Sequence, residues 1–350
     1  MKNIHVDVKA YKGTYADIGY QQGRYLKHTP LVRYHYNERL KRSLAKFDVP
    51  VEDVKKLYQL YVPGLWEELK GLAEGLEWPF QDVLQEFSGY QASKVRSGCS
   101  GLMANGMYIR NYDYLPSTYE GRFLFTKPVN GPGTAGFAQR IIGRSDAMNE
   151  YGLSIGYHFV HRIKPKPGIV CSNLLRIVLE TCRSTTEAVR LLQELPHRHS
   201  FNYSMMDASG ESAVVEASPR GTAVRPAGEV ACTNHFNMPS MREENRHLMG
   251  NSRERESRIR SIDWDRETAH SAFARFNHDT DSIYSNDYEH WSGTIHTAQY
   301  LPAEKKIYAG IGGNRYPVPL PFADWLNEKP LRITKIRGRV DTDMPFSFEW

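Results

Sequence analysis

The sequence predicts an α+β fold in which a helical lead segment precedes a region rich in antiparallel sheet. Residues 10–97 show mainly helical periodicity, and at Gly98 the pattern changes to the apolar and polar alternation of strands. A pair of amphipathic helices then lies between two groups of strands. Sheet on both sides of a helix pair favours a layered α+β domain over a doubly wound one. The 350 residues leave open one large domain or two ordinary ones.

Several helices are expected in the lead segment. One follows Gly13 and runs through Tyr25, and a second covers residues 51–62 until Pro63 and Gly64 interrupt it. A third is expected over residues 65–76. A fourth begins at Pro79, because proline is tolerated in the first turn of a helix. These patterns predict a largely helical segment ahead of the sheet.

The region after Gly98 contains the expected strands and the helix pair. The helices cover residues 172–182 and 185–195, and Ser184 offers an N-cap to the second. They would cover one face of the sheet. The strands are expected at residues 99–103, 107–113, 122–126, 135–142 and 153–160, on both sides of a turn at 207–211, before Cys232, and between 294 and 308.

Composition and charge exclude several classes of protein. The chain is 40% hydrophobic and 24% charged, which is typical of a folded globular protein and not of a disordered one. Its net charge is +5, and the basic and acidic residues are interleaved, so a nucleic-acid partner is not expected. No apolar run is long enough to cross a bilayer, and the first residues lack the apolar stretch of a secretory signal. A cytoplasmic protein without a membrane partner is therefore expected.

The four cysteines point to one candidate nucleophile. None is paired in a CxxC motif, so no metal or other cofactor is expected, and Cys171, Cys182 and Cys232 are interpreted as small buried hydrophobic residues. Cys99 differs because it stands in a run of small residues, Ser97 to Gly101. If the chain is cut before Cys99, the new α-amine titrates near ~7.7–8.0 and can serve as the base for its own thiol.

Motifs spread over nearly the whole chain are similar to those of one family. Gly13 to Gly23 is similar to a propeptide motif of that family, and Gly98-Cys99-Ser100 to its self-cleavage junction. The chain resembles the acyl-CoA:6-aminopenicillanic acid acyltransferase group of N-terminal-nucleophile proteins, and more distantly the bile salt hydrolases and penicillin V acylases. The other segments that carry the resemblance are residues 110–113, 146–153, 233–236, 257–259 and 294–297.

The resemblance implies a fold and a division of the chain. The fold would be a four-layer αββα N-terminal-nucleophile sandwich. Residues 1–98 would form a helical propeptide or α-subunit-like segment packed on the core, and residues 99–350 the catalytic region that begins at the nucleophile. Cleavage of the Gly98–Cys99 bond would leave fragments of 98 and 252 residues, which sum to 350.

The resemblance also assigns residues to the site. Cys99 would be the nucleophile, Arg110 and Asp113 would contact its thiol and amine, and Asn234 would donate to the oxyanion. Two further positions complete the set: Arg258 as the last polar residue, and His158 where the acylases place a second asparagine. Arg110 and Asp113 are three residues apart on a strand and so face opposite sides, unless a twist or bulge intervenes.

The expected function is a self-processing cysteine amidohydrolase that cleaves a linear, non-peptide amide through a Cys99 thioester. Acyl transfer from a thioester such as acyl-CoA to an amine is the first alternative. The others are an unprocessed hydrolase with His235 or His296 as base and a non-catalytic binding protein of the same fold. The partner would be a small acyl amide or acyl thioester, and association into homo-oligomers is left open.

Overall fold

The computed structural model describes residues 1–40, 49–90, 98–160, 164–245, 251–290 and 292–349. Residues 41–48 and 91–97 of the mainly helical lead segment, including Ser97 of the small-residue run before Cys99, lie outside the described residues. The strands are β1 Lys2–Gly13, β2 Gly98–Ala104, β3 Met107–Asp113, β4 Arg122–Pro128, β5 Thr134–Gln139, β6 Gly143–Asn149, β7 Ser154–Phe159, β8 Phe201–Met206, β9 Ser212–Ser218, β10 Gly221–Val224, β11 Ala231–Cys232, β12 Thr294–Leu301, β13 Lys306–Ile311, β14 Val318–Leu320 and β15 Lys335–Val340.

The strands form two sheets. One has nine strands in the order β10-β9-β8-β7-β6-β5-β4-β1-β15, and the other has six in the order β11-β2-β3-β12-β13-β14. The predicted hairpin after Gly98 is confirmed as β2 and β3. The strand predicted over 135–142 is wrong beyond Gln139, where Arg140 and Ile141 adopt positive φ angles of 56° and 63° and turn the chain into β6.

The helices form the outer layers. β2 of the smaller sheet faces β7 and β8 of the larger one. The predicted helix pair covers the far side of the larger sheet, and two later helices cover the far side of the smaller one. The predicted αββα order of four layers is therefore confirmed. The helices are α1 Tyr15–Leu26, α2 Pro30–Leu40, α3 Val51–Tyr61, α4 Pro63–Leu76, α5 Phe80–Phe87, α6 Cys171–Thr181, α7 Thr185–Glu194, α8 Ser252–Arg260, α9 Ala269–Asn277 and α10 Phe322–Leu326. Among the helices that the structure describes, none is long and apolar enough to cross a membrane.

The lead segment contributes a strand as well as helices. β1 lies inside the larger sheet, parallel to β4 and antiparallel to β15. The prediction of a mainly helical lead segment did not include this strand. Because β15 is the edge strand and pairs with β1, the last strand of the chain is held in the sheet by the first. The lead segment is thus part of the central sheet.

Glycines allow α1 and α4 to pack at backbone distance. A Cβ atom added at Gly19 would lie 2.0 Å from the Glu68 carbonyl oxygen, and one at Gly71 would lie 2.0 Å from the Ala16 carbonyl oxygen. Gly23 and Gly75 meet in the same way one turn further along. No side chain fits between the two helices at these positions.

We expect Gly71→Ala to destabilise the protein because the two helix backbones must separate to admit the methyl group. The expected loss is about 1–3 kcal/mol of unfolding free energy, as for other overpacked sites, measured by urea unfolding. Gly221→Ala is the matched control, since a Cβ there meets no atom within 4 Å. Equal stability of the two variants would contradict this account of the helix pair.

Candidate active site

The pairing of β2 with β3 places two side chains beside Cys99. Cys99 is the register partner of Tyr112, and Gly101 is the partner of Arg110. Side chains at these positions share one face of the sheet. That face is the inner one, because Arg110 reaches residues of the larger sheet. Cys99 therefore lies between the two sheets, and its side chain is fully buried.

The Arg110 guanidinium lies directly beside the thiol. Its Nη2 lies 3.0 Å from Cys99 Sγ and also donates to the Tyr157 carbonyl oxygen, while its Nη1 donates to Asp146 Oδ2 at 2.6 Å. Gly156 leaves room for this side chain, since a Cβ there would lie 2.7 Å from Arg110 Cδ. A fixed positive charge at this distance favours the thiolate form of a cysteine.

The main chain of Cys99 is held by Asn234. β11 pairs with β2, which brings the residues after Cys232 alongside Cys99. Asn234 Oδ1 accepts a hydrogen bond of 2.8 Å from the Cys99 nitrogen, and Asn234 Nδ2 donates to the Phe159 carbonyl oxygen at 2.8 Å. The structure thus brings Asn234 to Cys99, with its oxygen towards the nitrogen that cleavage would free.

Arg255 occupies the place predicted for Arg258. Its Nη1 donates to the Cys99 carbonyl oxygen at 2.9 Å and to Ser100 Oγ at 2.6 Å, and its Nη2 donates to Asn234 Oδ1 at 2.8 Å. Arg258 lies one turn further along α8, is 39% exposed and pairs with Asp281 at 3.0 Å. The structure therefore brings Arg255 to Cys99 and does not bring the predicted Arg258 there.

A signal in the sequence could have identified Arg255. The buried residues of α8 are Ser252, Arg255, Glu256 and Ile259, which repeat at the spacing of one helix face. Arg258 falls between them and faces solvent. Four arginines in this short helix made the choice by motif ambiguous, whereas the position of Ile259 defines the buried face.

Asp113 lies on the other face of β3 from Arg110, as the strand geometry predicts. It is the register partner of Gly98 and accepts hydrogen bonds from Thr294 Oγ1 at 2.7 Å and from Arg255 at 3.4 Å. Burial raises the pKa of Asp113, and the Arg255 charge opposes that shift. Asp113 thus lies on the face of the sheet opposite the Cys99 thiol, beside the main chain of Gly98, whereas Arg110 lies on the same face as the thiol.

His158 lies in the same inter-sheet layer. Its Nε2 is 2.7 Å from Ser204 Oγ, which also contacts the Tyr108 hydroxyl. Burial, with the Arg110 charge acting in the same direction, lowers the pKa of His158 well below its usual value. The ring is therefore neutral, and its predicted role as a second oxyanion donor stays a prediction.

The two histidines considered as alternative bases are engaged elsewhere. His296 contacts Tyr119 through Nδ1 at 2.9 Å and Asp146 through Nε2 at 3.2 Å. His235 contacts Ser252 through Nδ1 and Glu256 through Nε2, both at 2.8 Å. Because both ring nitrogens of each histidine already have partners, this arrangement gives no support to a Cys–His pair.

The remaining cysteines behave as buried apolar groups. Cys171, Cys182 and Cys232 are buried and unpaired to one another, and burial raises the pKa of Cys182 to about 11. In the part of the chain that the structure describes, no group of three or more histidine, cysteine or acidic side chains could hold a metal ion. The sulfur atoms of Cys182 and Cys232 contact only a threonine hydroxyl or carbonyl group, whereas that of Cys99 accepts a hydrogen bond from an arginine.

Residues 102–316 match the sequence profile of the family described as acyl-coenzyme A:6-aminopenicillanic acid acyl-transferase, which is more than half of the chain. No curated protein sequence matches the chain. Among solved structures, it is similar to a mutant of the conjugated bile acid hydrolase from Clostridium perfringens, with 16% identity, a TM-score of 0.45, and coverage of 71% of this chain and 98% of the other.

Two further solved structures are similar at comparable levels. For the penicillin V acylase from Agrobacterium tumefaciens, the identity is 16% and the TM-score 0.40, with 63% of this chain and 84% of the other covered. For the Caenorhabditis elegans N-acylethanolamine-hydrolyzing acid amidase ortholog, the identity is 14% and the TM-score 0.41, with 68% of this chain and 98% of the other covered. At these identities and TM-scores no residue role is transferred from them.

Proposed function

Because the chain belongs to the acyl-coenzyme A:6-aminopenicillanic acid acyl-transferase family, we propose that Cys99 is the nucleophile of an amide-cleaving enzyme that first cuts its own chain at the Gly98–Cys99 bond. One observation carries the proposal. The sulfur, nitrogen and carbonyl oxygen of Cys99 are held by three different side chains, Arg110, Asn234 and Arg255. A cysteine that only fills space in a core needs none of these contacts.

Self-cleavage would begin with attack of Cys99 Sγ on the Gly98 carbonyl carbon. A carbon–sulfur bond forms, the Gly98–Cys99 amide bond breaks, and the thiol proton passes to the leaving nitrogen. Water then hydrolyses the thioester, which leaves the Gly98 carboxylate and restores the thiol. Glycine suits position 98, because a Cβ there would lie 2.8 Å from Ser292 Oγ and 3.2 Å from Asp113 Cβ.

After cleavage, the Cys99 nitrogen becomes an α-amine that can take the thiol proton and return it to the leaving amine of a substrate. Asn234 Oδ1 already accepts from this nitrogen, and Asp113 lies beside the junction to balance an ammonium. The substrate acyl group is carried on the sulfur as a thioester. The Asn234 amide nitrogen carries two hydrogens, and one of them is donated to the Phe159 carbonyl oxygen. We propose that the other hydrogen is donated to the oxyanion of the tetrahedral intermediate.

The acceptor of the acyl group decides between two activities. Water gives hydrolysis of a linear amide, which we place first because water is always present. An amine acceptor gives acyl transfer, and the family description, with its acyl-coenzyme A donor, favours this as the second candidate. Both pass through the same Cys99 thioester, so the site residues are the same for both.

We expect the wild-type protein to gain one acyl group on Cys99 when it is treated with p-nitrophenyl acetate and quenched in acid, as read by peptide mass mapping. Release of p-nitroaniline from N-acyl p-nitroanilides of increasing chain length then measures hydrolysis. Parallel assays with acyl-CoA and 6-aminopenicillanic acid measure transfer. Cys99→Ala is the control. Acylation of another residue with Cys99 left unmodified would contradict the proposal.

A further inference from the structure

A fully buried carboxylate lies behind the Arg110 guanidinium. Asp146 accepts hydrogen bonds from Arg110 Nη1 at 2.6 Å and from the Tyr300 hydroxyl at 2.6 Å, and its Oδ2 lies 3.2 Å from His296 Nε2. The Ser145 hydroxyl donates to the same carboxylate at 2.9 Å. The charge of Arg110 is therefore shared between two groups, the Asp146 carboxylate and the Cys99 sulfur.

A β-bulge in each sheet directs a side chain towards the Arg110 guanidinium. In the larger sheet, Phe137 pairs with Asp146 but Ala138 pairs with Arg144, so Ser145 is an extra residue on β6. In the smaller sheet, Asp113 pairs with Thr294 but Tyr112 pairs with His296, so Ile295 is an extra residue on β12. Such bulges turn a side chain to the other face of its strand.

The result is that Asp146 and His296 face the inter-sheet layer. Without the bulges, Asp146 would share the face of Arg144, which bonds to Thr126 on the helix side of the larger sheet. His296 would likewise share the face of Thr294, which bonds to Asp113. Two independent departures from regular pairing thus converge on the group that contacts the nucleophile.

The hydrogen bonds around Asp146 define its charge state. Burial lowers the pKa of His296, although Asp146 opposes that shift, so its ring is neutral. A neutral ring that accepts from the Tyr119 hydroxyl at Nδ1 must donate from Nε2 to Asp146. Burial alone would raise the pKa of Asp146, but His296 and Arg110 hold it below its usual range. Asp146 is therefore a carboxylate.

We propose that Asp146 is a positioning residue that neutralises part of the Arg110 charge and so keeps the Cys99 thiol protonated in the resting site. This inference rests on the function proposed above. Before cleavage the chain has no α-amine at Cys99. The proton that the leaving nitrogen needs must therefore come from the Cys99 thiol itself. An uncompensated guanidinium 3.0 Å from the sulfur would remove that proton in advance.

The test compares the thiolate titration of Cys99 in the wild type and in Asp146→Asn. The ultraviolet absorbance of the thiolate is followed against pH, and the titration of the matching Cys99→Ala protein is subtracted from each. The titratable and charged groups that face Cys99 and Arg110 from neighbouring strands and helices are Asp146, Arg255, Asp113, His158, His296, Cys171, Tyr108, Tyr112, Tyr157 and Tyr300. Among them, Asp146→Asn changes the charge of Asp146 alone and keeps its shape.

We expect the titration midpoint to move to lower pH by at least about one unit, which is about tenfold more thiolate at a given pH below the midpoint. Glu68→Gln is the control. It removes an equally buried carboxylate from Arg176 on the far side of the larger sheet, so the Cys99 midpoint should stay in place. A midpoint that is unchanged in Asp146→Asn, or moved upward, would overturn the inference.

A second variant covers the case in which Asp146→Asn does not fold. Tyr300→Phe keeps the carboxylate but removes one donor from it. More of its negative charge then acts on Arg110, so the midpoint should move upward, and an unchanged midpoint would overturn the inference. The titrations are compared between proteins with the same extent of cleavage, as read by denaturing mass spectrometry. A wild-type chain that stays whole would count against the proposed function, whereas a cut wild type with an unmoved Asp146→Asn midpoint would count against this inference alone.

Discussion

Arg255→Met is expected to slow self-cleavage and the later acyl chemistry by at least about a hundredfold, the effect of removing one preorganised donor from a buried reacting site. The Arg255 guanidinium fixes the carbonyl oxygen of Cys99 and also bonds to Asn234, which holds the Cys99 nitrogen, so its loss frees the carbonyl oxygen and loosens the hold on the nitrogen. It would also leave the buried Asp113 without its arginine partner. The rate of chain cleavage on a denaturing gel measures the first effect.

Arg258→Met is the matched control for this prediction. The two arginines lie one turn apart on the same helix, but Arg258 is partly exposed and binds Asp281. Its removal should leave the cleavage rate close to that of the wild type. Thermal unfolding of both variants separates a loss of rate from a loss of folding. A slow Arg258→Met together with a normal Arg255→Met would restore the original motif assignment and contradict the one from geometry.

Arg176→Met is expected to cost about 3–5 kcal/mol of unfolding free energy, the loss that follows when one partner of a buried ion pair is removed. Arg176 on α6 binds Glu68 on α4 at 2.8 Å and Glu180 at 2.6 Å, and all three side chains are fully buried. The Tyr15 hydroxyl of α1 donates to the same Glu180 at 2.8 Å. This network joins the lead segment to the region after Cys99.

The measurement is urea unfolding of the chain before and after self-cleavage. If the network holds the two parts together, the loss is the same or larger in the cut protein, and the fragments should separate at lower urea. Lys70→Met is the control, because Lys70 pairs with Glu67 on the surface of α4, the helix that carries Glu68, and is half exposed. The combined Arg176→Met and Glu68→Met variant should recover only part of the loss, because the buried Glu180 would still lack its arginine partner. Equal stability of Arg176→Met and Lys70→Met would contradict a joining role.

Much of this arrangement could be predicted from the sequence because it depends on local pattern. The alternation after Gly98 defines the hairpin that carries Cys99 and Arg110, and the opposite faces of Arg110 and Asp113 follow from the strand period. The apolar spacing predicts helices over 51–62 and 65–76, and the structure has them at Val51–Tyr61 and Pro63–Leu76, where Pro63 begins the second helix. These features need no knowledge of distant contacts.

The remainder depends on pairing between distant residues. β1 is a strand because β4 and β15 flank it, more than one hundred residues away in the chain. Asp146 and His296 reach Arg110 through bulges, which appear only when the register of neighbouring strands is known. Arg255 was missed because a motif of arginines does not show which face of the helix is buried. Sequence periodicity defines faces, but not which strand or helix covers them.

The central claim is that Cys99 becomes the first residue of a chain cut by its own thiol. Denaturing mass spectrometry of freshly purified protein, beside Cys99→Ala, tests it most directly. The wild type should show two chains of 98 and 252 residues, the second beginning with Cys99, while Cys99→Ala stays whole at 350 residues. A wild type that remains a single chain of 350 residues, or one that is cut equally in Cys99→Ala, would contradict the claim.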